Sequence, residues 1–182
     1  MKNKFITYAT IAAGGFLLIR PFLKTRPRKA EPVDDFELER FLGSWFEIAR
    51  LDNAIEKDLD NVMSQYSLNT DGTIKVINSG YHRVEQHWKK TEGIARFRHN
   101  HQKGDFSVNF LSPVYKGYNI ISVDEGYNYA LITGSNLNYL WMMSRHKTIP
   151  EQIKRKYLKL ASLIGFNTEA LLWVNQDRED HQ

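Results

Sequence analysis

The sequence predicts an all-β fold: an eight-stranded antiparallel up-and-down β-barrel with one C-terminal α-helix packed outside it and a short ninth strand. From residue 45 onward, apolar and polar residues alternate with a period of two, which is typical of strands with one buried face. Turn residues separate these stretches, and a single amphipathic helical stretch follows them. Eight consecutive antiparallel strands remove their exposed edges most simply by closing into a barrel.

The eight predicted strands follow one another along the chain with short connections. They cover residues 45–51, 62–68, 73–80, 90–98, 105–111, 118–124, 127–133 and 138–144. The segment Asn69–Gly72 joins the second and third strands, and its Asp-Gly pair supplies the positive φ of a hairpin turn. Because nearly all the connections are short, consecutive strands are expected to be neighbours in the sheet.

One helix is predicted after the eighth strand. Thr148 and Glu151 have the spacing of a capping box, with Thr148 as the N-cap residue. Four apolar residues share one face at helical spacing: Ile153, Tyr157, Leu160 and Ile164. Gly165 is predicted to end the helix, and residues 171–174 are predicted to form the ninth strand.

The charge distribution argues against a nucleic-acid-binding domain. The formal net charge of the chain is +4, but residues 1–30 carry seven basic residues and no acidic ones. Residues 31–182 therefore hold 18 basic and 21 acidic residues, a formal net charge of −3. A nucleic-acid-binding protein needs a basic footprint on its folded domain, so no nucleic-acid partner is expected.

The N-terminal residues predict a membrane anchor. Residues 5–19 form an uncharged, largely apolar run after a basic start, and with residues 20–23 the segment approaches the length that spans a bilayer. We therefore expect an uncleaved anchor over residues 1–23, with a cleaved signal peptide as the alternative. Basic residues on both sides of the run leave its orientation open.

The rest of the chain divides into three parts. Residues 24–35, which contain Pro27 and Pro32, are predicted to be a linker, residues 36–176 the barrel domain, and residues 177–182 a charged tail. The chain contains no cysteine. This excludes disulfides, zinc–thiolate sites, a cysteine nucleophile and lipid attachment through an N-terminal cysteine.

Three motifs occur in an order that is specific to one family. Gly43–Trp45 has the pattern Gly-x-Trp and continues into 46–50, residues 124–131 follow the sixth strand, and residues 140–145 end with an arginine. From about residue 36 to 176, the chain resembles the lipocalin family, in particular its branch of bacterial outer-membrane lipocalins and apolipoprotein D. The second motif departs from the strict family pattern.

The resemblance implies a barrel with a closed floor. Gly43, Trp45 and Arg145 are expected to build this floor, where the large indole fills the barrel and the guanidinium covers it by a cation–π contact. These three residues are expected to support the fold and not to contact a ligand.

The resemblance also implies a ligand cavity. Its inward-facing residues are identified by counting in steps of two from Arg145, as the family pattern requires. The predicted lining residues are Ser64, Tyr66, Ile74, Val76, Gly93, Ala95, Phe97, Phe106, Val108, Phe110, Tyr139, Trp141 and Met143. This set is apolar with a few hydroxyl groups, which suits an acyl chain or a similar elongated ligand. It contains no acidic or basic group, and Glu47 is expected to be an isolated surface or loop-capping carboxylate. By alternation alone, the same residues fit a filled core equally well.

The histidines do not predict a metal site. His99 and His101 lie in a stretch with the composition of an exposed hairpin tip, and His82 and His87 lie in the predicted loop between the third and fourth strands. Two histidines without a third ligand make a weak site. We expect no metal, no cofactor and no catalytic residue.

The resemblance implies a binding protein without catalysis. Its expected function is the binding and storage or transport of small apolar ligands, such as fatty acids or lysophospholipids, in the bacterial cell envelope. The resemblance also implies a lipidated cysteine, which this sequence lacks, so we expect tethering through the N-terminal segment with the barrel in the periplasm. Two alternatives stay open: an enzyme or isomerase with its active site in the cavity, and an interaction module with a filled barrel. A homodimer also stays open.

Overall fold

Nine strands and two α-helices make up the part of the chain that the computed structural model describes, namely residues 25–53, 56–99, 101–110 and 114–178. The strands are β1 (Gly43–Leu51), β2 (Leu59–Leu68), β3 (Ile74–His82), β4 (His87–Phe97), β5 (Asp105–Phe110), β6 (Lys116–Val123), β7 (Tyr129–Thr133), β8 (Leu140–Ser144) and β9 (Leu171–Trp173). Helix α1 (Leu38–Phe41) precedes β1, and helix α2 (Glu151–Ile164) follows β8. The membrane anchor predicted over residues 1–23 lies outside the described residues.

Strands β1 to β8 form one closed antiparallel barrel. Each strand pairs with the next one along the chain, and β8 pairs with β1 to close the sheet. Strand β9 lies outside this circle and pairs with the second half of β1. This arrangement confirms the predicted eight-stranded up-and-down barrel with a helix and a ninth strand outside it.

The up-and-down order gives the barrel two different ends. One end carries α1 and the β2–β3, β4–β5 and β6–β7 connections, and we call it the closed end. The opposite end carries the β1–β2, β3–β4, β5–β6 and β7–β8 connections, and we call it the open end.

Arg145 and Trp45 build the floor of the closed end. The guanidinium of Arg145 lies 4.0 Å from the centroid of the buried Trp45 ring. It donates hydrogen bonds to the carbonyl groups of Arg40, Phe41, Leu42, Ser44 and Tyr127. Trp45 Nε1 donates to Phe41 O at 2.8 Å. Gly43 has a φ of +95°, and a Cβ there would lie 3.3 Å from Arg145 Nη1, so both the backbone and the space favour glycine.

Residues 25–35, predicted to be a linker, instead pack along the outside of the barrel. Ala30 is fully buried. Val33 N donates to Ile120 O at 2.9 Å, and Gly104 N donates to Val33 O at 2.9 Å. We call residues 25–35 the N-terminal strap. These backbone bonds satisfy peptide groups that a free linker would expose to water, so the strap is part of the folded domain.

Helix α2 starts later than its predicted capping box. The N-cap residue is Pro150, with a ψ of 143°, and Thr148 makes no capping bond. A residue before proline is disfavoured in the helical region, so Ile149 cannot continue a helix from Thr148. The carbonyl of Thr148 instead accepts a hydrogen bond from Ser144 Oγ at 2.9 Å. The predicted end is confirmed: Gly165 has a φ of +112° and closes the last turn.

The β3–β4 hairpin is longer than predicted. His82 is the last residue of β3 and His87 the first residue of β4, and the two are paired across the hairpin. The interpretation of both histidines as loop residues was therefore wrong. The alternation pattern stops before the hairpin tip because the ends of both strands are half exposed and carry polar residues on both faces.

Helix α2 covers one outer face of the barrel with a second apolar core. Tyr157 and Ala161 are fully buried against Leu131, Leu140 and Met142 of strands β7 and β8. Tyr157 Oη donates to the carbonyl of Tyr129 at 2.8 Å, which satisfies the buried hydroxyl. Neither helix of the described residues is long and apolar enough to cross a membrane.

The structure of the floor predicts that two Trp→Ala substitutions lower the free energy of unfolding by very different amounts. We expect Trp45→Ala to lower the free energy of unfolding by about 3–5 kcal/mol, because it removes a fully buried ring. Trp173, which is 44% exposed on β9, is the matched control, and Trp173→Ala is expected to cost about 1 kcal/mol or less. Chemical denaturation of both variants measures the difference. Equal losses would contradict this role of Trp45.

Candidate ligand-binding site

The barrel encloses a cavity of about 280 Å³ that reaches the open end. Nine of the thirteen residues predicted to line it lie on its wall: Ser64, Tyr66, Val76, Ala95, Val108, Phe110, Tyr139, Trp141 and Met143. They come from strands β2 to β5 and β8 and from the β7–β8 loop, so the barrel brings together residues that are up to about 80 positions apart.

The other four predicted residues, Ile74, Gly93, Phe97 and Phe106, lie outside the cavity wall. Ile74, Phe97 and Phe106 pack in the aromatic core at the closed end, which Phe36 also enters from the segment before α1. Strand alternation identifies the inward-facing side chains, but it does not show how far this aromatic core fills the barrel.

Gly93 also leaves no open space in the barrel. A Cβ on Gly93 would lie 2.5 Å from Phe110 Cδ1, so the ring of Phe110 fills the room that the glycine provides. The pairing of Gly93 with Phe110 across β4 and β5 explains this fit, because a glycine lets a bulky cross-strand neighbour fold over the backbone.

Two charged residues of β1 face the interior, contrary to the prediction that the inward set holds no acidic or basic group. Glu47 pairs with Met143 and Arg50 pairs with Trp141 across β1 and β8, and the register shifts between Glu47 and Ala49. Glu47 faces inward in phase with Trp45, and the bulge that follows it adds a residue and turns Arg50 inward as well. Counting two residues from the inward Trp45 would have identified Glu47, whereas nothing in the sequence pattern marks the bulge.

Glu47, Arg50 and Glu56 form a buried cluster beside the cavity, which we call the carboxylate cluster. Arg50 Nη1 donates to Glu47 Oε1 at 2.7 Å, and Arg50 Nη2 donates to the carbonyls of Glu56 and Leu59 at 2.8 and 3.0 Å. Trp141 Nε1 donates to Glu56 Oε2 at 3.0 Å. Both glutamates line the cavity, so its wall carries carboxyl groups beneath the β1–β2 loop.

The surroundings shift the protonation of this cluster. Burial and the neighbouring Glu56 carboxylate raise the pKa of Glu47 to about 8, although Arg50 acts in the opposite direction. Burial lowers the pKa of Arg50, but the carboxylates of Glu47, Glu56 and Asp52 outweigh this effect and raise it. Near neutral pH, the cluster therefore holds a charged guanidinium beside a Glu47 carboxyl group whose raised pKa favours its protonated form.

Two tyrosine hydroxyls meet farther inside the cavity. The Oη atoms of Tyr66 and Tyr118 lie 2.5 Å apart, and both side chains line the cavity. Burial raises the pKa of Tyr66 to about 12 and raises the pKa of Tyr118 as well. Both hydroxyls thus stay protonated at neutral pH. Tyr118 was not among the predicted residues. It pairs with the inward-facing Phe106 across β5 and β6, so its side chain also points into the barrel.

The open end of the cavity is polar and carries two lysines. Lys89 of β4 and Lys116 of β6 line this part of the wall together with Thr91, Ser135 and Asn136. None of these five residues was predicted, because the alternation pattern selects the apolar face of a strand. Lys89 Nζ donates to Glu85 Oε1 at 2.8 Å, and Lys116 Nζ lies 5.8 Å from the centroid of the Tyr139 ring.

The remaining histidine prediction concerns the closed end. His99 is exposed, and its Nδ1 lies 3.0 Å from Asp105 Oδ2. The other carboxylate oxygen of Asp105 accepts a hydrogen bond from Arg98. Among the residues that the structure describes, no group of three His, Asp or Glu side chains is arranged to hold a metal ion.

A barrel with one closed end, an internal cavity and an outer helix defines a class of small-molecule-binding proteins with a calyx. Residues 36–176 match the family described as Lipocalin-like domain. The chain belongs to the lipocalin family, whose members bind or transport small hydrophobic molecules. This confirms the resemblance that the three sequence motifs indicate.

Curated relatives support this assignment over most of the chain. The chain is 38% identical over 173 residues to the outer membrane lipoprotein Blc of Citrobacter freundii, which covers 95% of this chain and 98% of that protein. It is 39% identical over 151 residues to the outer membrane lipoprotein Blc of Vibrio cholerae, with 82% and 88% covered. Rat apolipoprotein D is 25% identical over 126 residues, with 65% and 66% covered.

Solved structures share the fold at lower identity. Insecticyanin from the tobacco hornworm Manduca sexta superposes with a TM-score of 0.64 at 18% identity, covering 80% of this chain and 83% of that chain. Lobster apocrustacyanin A1 superposes with a TM-score of 0.63 at 17% identity, covering 77% and 79%. At these identities the likeness extends to the fold alone.

The pKa of Glu47 predicts a stability that falls as the pH rises. Its pKa rises from the ordinary 4.5 to about 8 on folding, so the folded chain binds an extra proton between these values. The associated stability is fully present below about pH 4.5 and is lost as the pH rises through about 8. We expect Glu47→Gln, an uncharged isostere, to flatten the decrease in the free energy of unfolding between pH 5 and 8.

Denaturant unfolding at several pH values measures this slope. Glu92→Gln is the matched control, because Glu92 is an exposed residue that pairs with Lys75 on the outside of the barrel. If the slope of Glu47→Gln equals that of the native chain and of the control, Glu47 does not take up the proton.

Proposed function

We propose that the protein binds a single-chain lipid, a fatty acid or a lysophospholipid, for storage or transport in the bacterial cell envelope, without catalysis. The observation that carries this proposal is the gradient of polarity along the cavity. Its inner wall is apolar apart from the paired hydroxyls of Tyr66 and Tyr118, whereas its open end carries Lys89 and Lys116. An amphiphile with one acyl chain and one anionic group matches this gradient.

The inner wall supports the acyl chain. Val62, Val76, Ala95, Val108 and Met143 provide a continuous aliphatic surface in the cavity. The volume of about 280 Å³ lies just below the range of about 300–1,000 Å³ that is usual for small-molecule sites. A narrow flexible chain fits such a space better than a fused ring system does.

The lysines at the mouth support the anionic group. A carboxylate or a phosphate at the mouth would form charge-assisted hydrogen bonds, which are stronger than neutral ones, with Lys116 and with Lys89 where it displaces Glu85. Fatty acids and lysophospholipids share this chemistry, because each joins a negative group to a single chain. The two ligand classes are therefore proposed together.

The carboxylate cluster bears on the alternative of an enzyme or isomerase. Buried carboxyl groups in a cavity are a feature of acid–base catalysts. Here, however, Glu47 bonds Arg50, Arg50 bonds backbone carbonyls of the β1–β2 region, and Glu56 bonds Trp141. These bonds join the scaffold to the cavity wall, which supports a structural role and favours binding over catalysis.

The proposed location is the cell envelope, with the barrel in the periplasm and residues 1–23 as its membrane anchor. The curated relatives are named as outer membrane lipoproteins, but the chain offers no cysteine for lipidation. We expect protease added to spheroplasts to degrade residues 36–182 without lysis. Immunoblotting measures this, with a cytoplasmic protein as the control. Degradation only after lysis would place the barrel in the cytoplasm.

Filling the cavity is expected to abolish lipid binding. Ala95 faces the cavity and Ile94, its neighbour on β4, is exposed on the outside. We expect Ala95→Trp to lose binding of a fluorescent fatty acid because the indole occupies the space of the acyl chain, whereas Ile94→Trp keeps it. Fluorescence titration measures both affinities, and thermal unfolding checks that both variants fold.

Native mass spectrometry separates binding from catalysis in the same preparation. A lysophospholipid added to the native chain is expected to be recovered bound and chemically unchanged. Recovery of a cleaved or isomerised product would favour the enzyme. Equal binding by both tryptophan variants would show that the cavity is not the site.

A further inference from the structure

Exposed apolar side chains concentrate at the open end of the barrel. Five of the eight large apolar side chains that are exposed in the described part of the chain lie there: Val84, Val114, Tyr115, Leu137 and Leu163. Leu163 belongs to this end because α2 finishes beside the β7–β8 loop, where a Cβ on Gly165 would lie 3.8 Å from Leu137. Clustered exposed apolar residues mark an interaction surface, whereas single ones do not.

The N-terminal strap begins at the same end. The carbonyl of Thr25 accepts a hydrogen bond from Asn119 Nδ2 at 3.1 Å and lies 1.8 Å from where a Cβ on Gly117 would be. Gly117 lines the mouth of the cavity. The strap reaches the closed end at Phe36, whose N donates to Gln102 O at 2.8 Å. The chain that precedes Thr25 is therefore attached beside the mouth.

The charges at the open end are unevenly distributed. Lys116 lies at the mouth, and Lys29 of the strap approaches the carbonyl of Leu163 at 3.5 Å, so basic and apolar groups lie side by side. On the opposite side of the mouth the charges are balanced in ion pairs, Asp58 with Arg83 and Glu85 with Lys89. The β5–β6 and β7–β8 side of the mouth is thus the basic side.

We propose that this side of the open end rests on the surface of a lipid bilayer, so that the cavity exchanges its ligand directly with the membrane. This proposal rests on the proposed lipid-binding function and adds the orientation of the barrel. The exposed apolar side chains enter the lipid–water interface, and the neighbouring lysines contact anionic headgroups. The strap begins at Thr25 beside the mouth, which keeps the mouth close to the proposed anchor.

The observations favour a bilayer over a protein partner. The exposed residues come from three loops and a helix end that surround the opening of the cavity. Each basic residue near an anionic membrane strengthens attachment by about fivefold, so Lys29 and Lys116 together suit a negative lipid surface. A second copy of the chain is the competing occupant.

The absence of cysteine in the sequence allows a direct test with single labels. Leu137→Cys at the open end and Leu68→Cys at the closed end replace the same residue type at similar exposure, 43% and 52%. Each full-length variant is labelled with an environment-sensitive fluorophore and reconstituted into vesicles of phosphatidylethanolamine and phosphatidylglycerol. We expect a blue shift at position 137 and loss of its emission when lipids with a doxyl quencher are included, with neither effect at position 68.

Other results would overturn the orientation. Equal quenching at both positions, or stronger quenching at position 68, excludes a mouth that faces the bilayer. Energy transfer between labels at position 137 that disappears on dilution, without lipid quenching, assigns the surface to a second copy of the chain.

A parallel titration with a fluorescent fatty acid distinguishes the two proposals. Selective quenching at position 137 without lipid binding supports the orientation while the proposed function fails. Lipid binding without selective quenching overturns the orientation alone.

Discussion

At the floor of the barrel, the guanidinium of Arg145 lies on the Trp45 ring and bonds carbonyls from α1, β1 and the β6–β7 connection. An arginine carries five N–H donors in a fixed plane, so one side chain can bond three segments of the floor at once. Burial lowers the pKa of Arg145, but these bonds compensate its charge. With the floor fixed, Phe36 and Phe41 can fill the barrel above it, and the cavity lies towards the open end.

The carboxylate cluster performs the corresponding task near the mouth. Burying the Arg50 guanidinium adds little net stability, because the cost of its desolvation offsets most of the attraction to its partners. The Glu47–Arg50 pair has a geometric effect instead: the second Arg50 nitrogen bonds the carbonyls of Glu56 and Leu59 and fixes the region that follows β1. Trp141 then bonds the Glu56 carboxylate across the cavity. One side of the cavity mouth is thus shaped by charge and the floor by aromatic packing.

The sequence predicts the barrel because the strand alternation, the short turns and the helix end at Gly165 are local signals. These signals are the same whether or not the sheet closes into a barrel. It predicts less of the cavity, since Gly93 and Phe97 do face inward but are covered by residues that lie far away in the chain. The bulge after Glu47 has no sequence signature, so the inward position of Arg50 could be found only from the pairing of β1 with β8. Likewise, two prolines in residues 24–35 suggest a linker, whereas backbone bonds to the barrel make this stretch a strap.

The strap is joined to the barrel through a buried polar chain. Asn119 is fully buried; its Nδ2 donates to the carbonyl of Thr25, and its Oδ1 accepts from Arg98, which pairs with Asp105. Asn119 Nδ2 also donates to the carbonyls of Thr133 and Gly134, so the same buried amide joins Thr25 of the strap to the end of β7. A segment attached through a flexible linker would let the barrel turn freely. Because Thr25 is held by Asn119 beside the mouth, the strap begins at a fixed place relative to the cavity.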